Sequence, residues 1–120
     1  MKVIYFVDDE QGVLDGLRRT LRDLRHEWQM AFFNSGEQAL EAMTKQTPDV
    51  IVSDMRMPGM DGVELLARVR AEYPSVYRMV LTGHAEFEAI SQVAKSAHEV
   101  MNKPCDSDQL REVLQNAHTR

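Results

Sequence analysis

The most restrictive feature of this 120-residue chain is a fivefold alternation of short apolar runs with helical stripes. The runs are rich in β-branched and aromatic residues, which is typical of strands buried on both faces of a sheet. They occupy residues 3–7, 28–33, 50–52, 76–81 and 98–102. Between them, apolar residues recur every three or four positions, which is the spacing of one helix face. The first such stripe comprises Val13, Leu14, Leu17, Leu21 and Leu24.

Strands that alternate with helices form a parallel sheet with helices on both of its faces. We therefore predict a flavodoxin-like, doubly wound α/β fold, with five parallel strands in the order 2-1-3-4-5. The length suits one domain, and the sequence contains no linker or low-complexity segment. A single domain over residues 1–120 is the expectation.

Charge and composition exclude several classes of function. The 14 basic and 19 acidic residues leave a net charge of -5, which argues against direct nucleic-acid binding. A basic cluster does occur, but acidic residues alternate with it, so a solvated helix face is predicted. Its members are Arg18, Arg19, Arg22 and Arg25, alternating with Asp15, Asp23 and Glu27. No apolar run approaches the roughly 20 residues of a membrane span, and a single cysteine, Cys105, fits a reducing cytoplasm.

Polar residues follow four of the five predicted strands. Asp8 and Asp9 follow the first, Asp54 the third, Thr82 the fourth and Lys103 the fifth. Because ligands of such folds bind beyond the carboxyl ends of the strands, we expect these side chains to lie together. An alternative for Asp8 and Asp9 is that they cap the helix that follows.

The expected convergence of Asp8, Asp9 and Asp54 calls for a counter-charge. A carboxylate pair at about 4 Å costs on the order of 4 kcal/mol at an effective dielectric constant near 20, and Lys103 supplies one positive charge. Mg²⁺ prefers oxygen ligands and combines one or two carboxylates with phosphate oxygens, so we predict a magnesium site. Asp54 is then the best candidate nucleophile for a phosphoryl group, which Thr82 and Lys103 would stabilise.

Four segments of the chain resemble the response-regulator receiver domain of two-component systems, a CheY-like superfamily. They are VDDE, SDMRMPGMDG, LTGHA and NKP. The resemblance implies that Asp54 accepts a phosphoryl group from a histidine kinase or a phosphotransfer protein. It also implies that Mg²⁺ is held by Asp8, Asp9, Asp54 and the backbone carbonyl of Arg56, with Asp8 acting through a metal-bound water. Lys103 would bind a phosphoryl oxygen, next to a cis bond to Pro104.

The resemblance further implies that residues 87–117 contact an output domain or effector, and it leaves both a monomer and a homodimer open. In the family, an aromatic residue three positions before the lysine moves with the threonine, whereas Val100 occupies that position here. We therefore predict that phosphorylation is read out through Phe87 and Ile90, with altered amide chemical shifts over residues 83–90. The segments YRMVLTGHA and NKPCD are similar to receivers that precede HD-type output domains.

Three other functions remain open on the sequence. A Mg²⁺-dependent phosphatase with an aspartate nucleophile would need an acid two residues after Asp54, where Arg56 stands. A flavin-binding protein of the same sheet order would need a Ser/Thr-rich phosphate loop after the first strand, and none is present. An unphosphorylated receiver scaffold is disfavoured because all five site residues are present. No enzymatic activity is expected beyond the chain's own phosphorylation and dephosphorylation.

Overall fold

Five parallel strands form the centre of the molecule, in a computed structural model that describes residues 2–82, 95–102 and 107–116. The strands are β1 (Lys2–Val7), β2 (Trp28–Phe33), β3 (Val50–Asp54), β4 (Tyr77–Thr82) and β5 (Glu99–Asn102). Their order is β2-β1-β3-β4-β5, and every neighbouring pair is parallel. The predicted doubly wound sheet is confirmed.

Four α-helices and one short 3₁₀-helix (Arg22–Leu24) are described. The α-helices are α1 (Gln11–Thr20), α2 (Gly36–Met43), α3 (Gly62–Glu72) and α4 (Ser107–Asn116). The helical stripe predicted between the fourth and fifth strands includes residues 83–94, which lie outside the described residues. None of the helices in the described ranges is long and apolar enough to cross a membrane.

Side-chain caps fix the first turns of two of these helices. The Ser35 hydroxyl accepts a hydrogen bond from the Gln38 amide at 3.2 Å and starts α2. The Asp61 carboxylate accepts from the Glu64 amide at 2.9 Å and starts α3. These caps supply partners to backbone donors that the helix itself leaves unpaired.

The stripe from Leu14 to Leu24 does not form one continuous helix. The α-helix ends at Thr20, and the chain tightens into the 3₁₀-helix, where the Leu24 amide bonds to the Leu21 carbonyl at 2.9 Å. Leu21 and Leu24 remain buried, because a 3₁₀ turn also returns every third residue to the same face.

The strands divide the apolar residues between the two faces of the sheet. In β1, Ile4 and Phe6 belong to one core cluster, and Tyr5 and Val7 belong to the other, as the two-residue period of a strand requires. The first cluster continues into α1 and α4 through Leu14, Leu110 and Leu114. The second continues into α2 and α3 through Ala39, Leu65, Leu66 and Val69. The two core clusters pack against both faces of the sheet and so hold the ends of its strands in place.

Candidate functional site

Three of the predicted site residues lie at the carboxyl ends of neighbouring strands and are buried. Asp8 is 2% exposed, Asp54 is 8% exposed and Thr82 is fully buried. Val7 pairs with Ser53 in the β1–β3 register, so Asp8 and Asp54 are the next residues on adjacent strands. Neighbouring strands lie about 4.8 Å apart, which brings the two aspartates to one edge of the sheet.

The Asp8 side chain is held by the start of α1. Its Oδ1 accepts a hydrogen bond from the Glu10 amide at 2.9 Å, and its own amide donates to the Phe33 carbonyl at 3.1 Å. The residue at the N-cap position is Glu10, which makes no side-chain capping bond. Asp8 therefore contacts the helix entrance without being its N-cap, and its carboxylate has a fixed orientation.

A cluster of three carboxylates stands at this edge. One oxygen from each of Asp8, Asp9 and Glu10 lies within 4.8 Å of the other two, and Asp9 and Glu10 are exposed. Glu10 was not among the predicted residues, and Asp54 is not one of this trio within the described part of the chain. The signal for Glu10 was present in the sequence as a third consecutive acidic residue. Such close like charges are relieved by a cation, and oxygen donors of this kind suit Mg²⁺.

The backbone of Asp54 is fixed by contacts that sequence reasoning did not assign. The Ser53 hydroxyl donates to the Asp54 carbonyl at 2.9 Å. The carbonyl also lies against Gly62, where a Cβ atom would overlap its oxygen and come within 3.0 Å of the Met55 Cα. Only a residue without a side chain fits this contact. The motif MPGMDG contains this glycine, but its spacing alone does not indicate which backbone atom it meets.

The loop that follows Asp54 brings Gly62 back to the end of β3. The Met55 amide donates to the Leu81 carbonyl at 3.1 Å, and the Gly62 amide donates to the Met55 carbonyl at 2.8 Å. Gly59 turns the chain with a φ of 74°, in the left-handed region that favours glycine. Arg56 is exposed between buried residues, so its side chain faces solvent beside Asp54.

The other end of the predicted site is only partly described. Thr82 pairs with Asn102, the residue before Lys103 in the sequence, and Val80 pairs with the half-buried Val100. Lys103 itself lies outside the described residues, as do Pro104 and the segment from Gly83 to Ile90. Their predicted roles therefore stay predictions.

Together these observations place the polar groups of the candidate site at one edge of a doubly wound α/β sheet. The site combines a buried carboxylate on the central strand, an adjacent acidic cluster and a buried hydroxyl one strand further on. A buried carboxylate beside a divalent cation suits nucleophilic attack on phosphorus, because transfer of a phosphoryl group depends on positioning and charge neutralisation.

Comparison with known proteins shows the family to which the chain belongs. The family model for the response regulator receiver domain matches residues 4–115. The DNA-binding transcriptional regulator NtrC of Klebsiella pneumoniae is 34% identical over 108 residues, which are 89% of this chain and 23% of that protein. The transcriptional regulatory protein FixJ of Bradyrhizobium diazoefficiens is 30% identical over 115 residues, covering 95% of this chain and 55% of FixJ.

A solved structure is similar over nearly its whole length. The signal receiver domain of an HD domain-containing protein from Pseudomonas fluorescens Pf-5 superposes with a TM-score of 0.91 and 30% identity, covering 97% of this chain and 93% of that one. The chain belongs to the response regulator receiver domain family, and it is a receiver domain of the two-component type. It spans about a quarter of the length of NtrC.

Proposed function

We propose that Asp54 is the phosphoacceptor of this receiver and that a histidine kinase or phosphotransfer protein supplies the phosphoryl group. The observation that carries the proposal is the place of Asp54: the residue ends the central strand, is 8% exposed as a whole, and has a backbone fixed by Ser53 and Gly62. A carboxylate oxygen of Asp54 attacks phosphorus, and the bond from phosphorus to the donor nitrogen breaks. The electron pair leaves with the donor imidazole, and Asp54 becomes an acyl phosphate.

We infer that Mg²⁺ binds beside this acceptor, held by Asp8, Asp9, Asp54 and the backbone carbonyl of Arg56. The cluster around Asp8 supports this, since one oxygen from each of three carboxylates lies within 4.8 Å of the others, close enough to share a cation. When bound, the ion would neutralise charge on the phosphoryl oxygens. The hydrogen bond from the Glu10 amide fixes the orientation of the Asp8 carboxylate. Glu10 adds a further negative charge to the site.

Thr82 and Lys103 complete the proposed site. The Thr82 hydroxyl, at the end of β4, would donate a hydrogen bond to a phosphoryl oxygen, and the Lys103 ammonium would pair with another. The support for Thr82 is its burial at the same edge of the sheet as Asp54, whose partner on β4 is Leu81, the residue before Thr82. For Lys103 the support is the register that sets Asn102 opposite Thr82.

The acceptor is tested with radiolabelled acetyl phosphate and Mg²⁺. We expect about one base-labile, acid-resistant label per chain, and we expect Asp54→Asn to abolish it because an amide is not a nucleophile at neutral pH. Asp61→Asn is the matched control: it lies in the same loop, and asparagine caps a helix as well as aspartate does. Label retained by Asp54→Asn, or lost equally from Asp61→Asn, would contradict the assignment.

The same experiment separates a switch from an enzyme. A signalling switch stops at one phosphoryl group per chain and releases it slowly, whereas a phosphatase would consume many acetyl phosphate molecules per chain in the same interval. An unphosphorylated scaffold would take up no label. We expect the first result, because Arg56 stands where a phosphatase needs an acid and is exposed.

The larger protein context is also a proposal. We infer that residues 1–120 form one receiver domain and that residues 87–117 carry its output surface. NtrC and FixJ are transcriptional regulators longer than this chain, and the structural neighbour from Pseudomonas fluorescens is the receiver of an HD domain-containing protein. These relatives support an output domain or effector as the partner of this receiver.

A further inference from the structure

A second site lies at the opposite end of α1 from the acidic cluster. A cleft of about 540 Å³ opens between the end of α1, the 3₁₀-helix and the edge strand β2. Its lining residues are Arg18, Arg19, Arg22, Arg25, Trp28, Gln29, Met30 and Phe32. The ten residues of α1 separate it from the acidic edge by about 15 Å. The phosphoacceptor site does not use any of these residues.

The arginines of the cleft are not neutralised by the acids that alternate with them in the sequence. The Asp15 carboxylate accepts a hydrogen bond from Gln11 at 3.0 Å, and the Asp23 carboxylate lies 3.6 Å from Arg111. Glu27 lies 3.8 Å from the ring of His26.

Within the described ranges, none of the four cleft arginines forms an ion pair with a carboxylate. All four are exposed. The cleft is therefore a concentrated positive region on a chain whose net charge is -5.

The floor of the cleft is apolar and aromatic. Trp28, Met30 and Phe32 alternate along β2 and so share one face of the strand. Trp28 is 5% exposed, and the other two are half-buried. The Arg18 guanidinium carbon lies 4.6 Å from the centre of the Phe32 ring. This cation–π contact orders the guanidinium group beside the floor.

We propose that this cleft binds a nucleotide. The phosphates pair with the guanidinium groups of Arg19, Arg22 and Arg25, which match phosphate oxygens geometrically. The planar base packs against Met30 and stacks on the Arg18 guanidinium, because the Phe32 ring is already stacked with Phe6 and in contact with Arg18. The volume lies within the usual range of small-ligand pockets, about 300–1,000 Å³. A bare anion would leave the apolar floor uncovered, and an apolar ligand would leave four guanidinium groups uncompensated.

Trp28 allows the proposal to be tested directly, because it is the single tryptophan of the chain and part of the cleft. ADP and GDP are titrated separately at low ionic strength with a chelator, so that the acidic edge carries no metal, and calorimetry gives the stoichiometry. We expect saturable quenching of Trp28 fluorescence at about one nucleotide per chain. Pyrophosphate and adenosine each contain half of the recognised chemistry, and we expect each to bind at least about tenfold more weakly.

Variants distinguish the cleft from the rest of the surface. Arg22→Ala and Arg25→Ala should each weaken binding about tenfold by removing charge-assisted hydrogen bonds, and Phe32→Leu should weaken it about fivefold by removing the ring. Arg68→Ala is the matched control, since Arg68 is an exposed arginine on α3, and it should leave the affinity unchanged. Circular dichroism and thermal melting establish that each variant is folded.

Three results would overturn the proposal. They are the absence of saturable binding of both nucleotides, equal weakening by Arg68→Ala and Arg22→Ala, and pyrophosphate affinity as high as that of ADP. The last result would reduce the cleft to a site for inorganic anions.

Discussion

At the scale of single residues, the contact between Gly62 and Asp54 determines how the acceptor is presented. In the proposed function Asp54 needs a defined backbone, because its side chain would meet both a cation and a phosphorus atom. The Ser53 hydroxyl and Gly62 hold its carbonyl from two sides. The acceptor therefore does not depend on a flexible loop for its position.

Gly62→Ala should lower the free energy of unfolding by about 2 kcal/mol, because the added Cβ forces the Asp54 and Met55 backbones apart. It should also slow labelling of Asp54 by acetyl phosphate. Urea denaturation measures the first effect. Gly12→Ala is the control: no heavy atom lies within 4 Å of its added Cβ, so in helix α1 it should stabilise the protein by about 0.5–1 kcal/mol. Similar destabilisation by both variants would show that the close contact is not the cause.

The sequence predicted Asp8, Asp54 and Thr82 at the strand ends, because a strand end follows directly from an apolar run. It did not predict the roles of Glu10, Ser53 or Gly62. Those roles depend on which atoms meet after the loops close, and no local pattern encodes that.

At the scale of secondary-structure elements, Arg78 is the one charged residue of β4. It is 7% exposed, and its guanidinium group donates to the carbonyls of Ser96, Pro74 and Val76 at 2.5–3.2 Å. Burial lowers the pKa of Arg78, and the charge of Arg70 lowers it further. The group nevertheless joins the turn before β4 to the segment before β5.

Arg78→Met should destabilise the domain by about 3 kcal/mol, since it leaves buried carbonyls without their donor. Urea unfolding with an unchanged m-value measures this loss. Arg68→Met removes an exposed arginine that lies 3.5 Å from Glu72 and should cost no more than about 0.5 kcal/mol. If the two substitutions cost the same, the three carbonyl contacts contribute nothing to stability.

The boundaries of all five strands were predicted to within two residues. The second strand, residues 28–33, has the predicted limits, and β3 runs two residues beyond the predicted run to Asp54. The tightening after Thr20 was not predicted, because α- and 3₁₀-helices bury leucines at similar spacings. The burial of Arg78 in β4 was not predicted either, because the carbonyls that bind its guanidinium group come from two separate segments.

At the scale of the whole molecule, two core clusters cover the faces of the sheet, and the described surface carries an acidic cluster and a separate arginine-lined cleft. Asp23 illustrates what the sequence could not indicate. It stands between basic residues in the sequence, yet its carboxylate lies beside Arg111, on the last described helix. Because Asp23 pairs with Arg111 and not with the arginines beside it in the sequence, the cleft between α1 and β2 keeps its positive charge.

Mg²⁺ should raise the melting temperature of the domain by about 10 °C at a concentration near 100 times its dissociation constant. Binding to the folded state alone contributes about 2.7 kcal/mol under that condition. The double variant Asp8→Asn/Asp9→Asn should lose most of this shift, whereas Glu41→Gln, an exposed carboxyl on α2, should keep it. Differential scanning calorimetry with and without a chelator measures the effect. A full shift in the double variant would place the ion elsewhere.

The loop after Asp54 has a consequence for protein engineering. Backbone hydrogen bonds at Met55 and Gly62 fix the two ends of this loop, and Arg56 is exposed two residues after Asp54. Position 56 is thus an exposed place beside Asp54 where side chains of different size and charge can be compared. Variants with different residues at this position should differ in the half-life of the acyl phosphate. They would form a set of receivers with the same fold and different signalling durations.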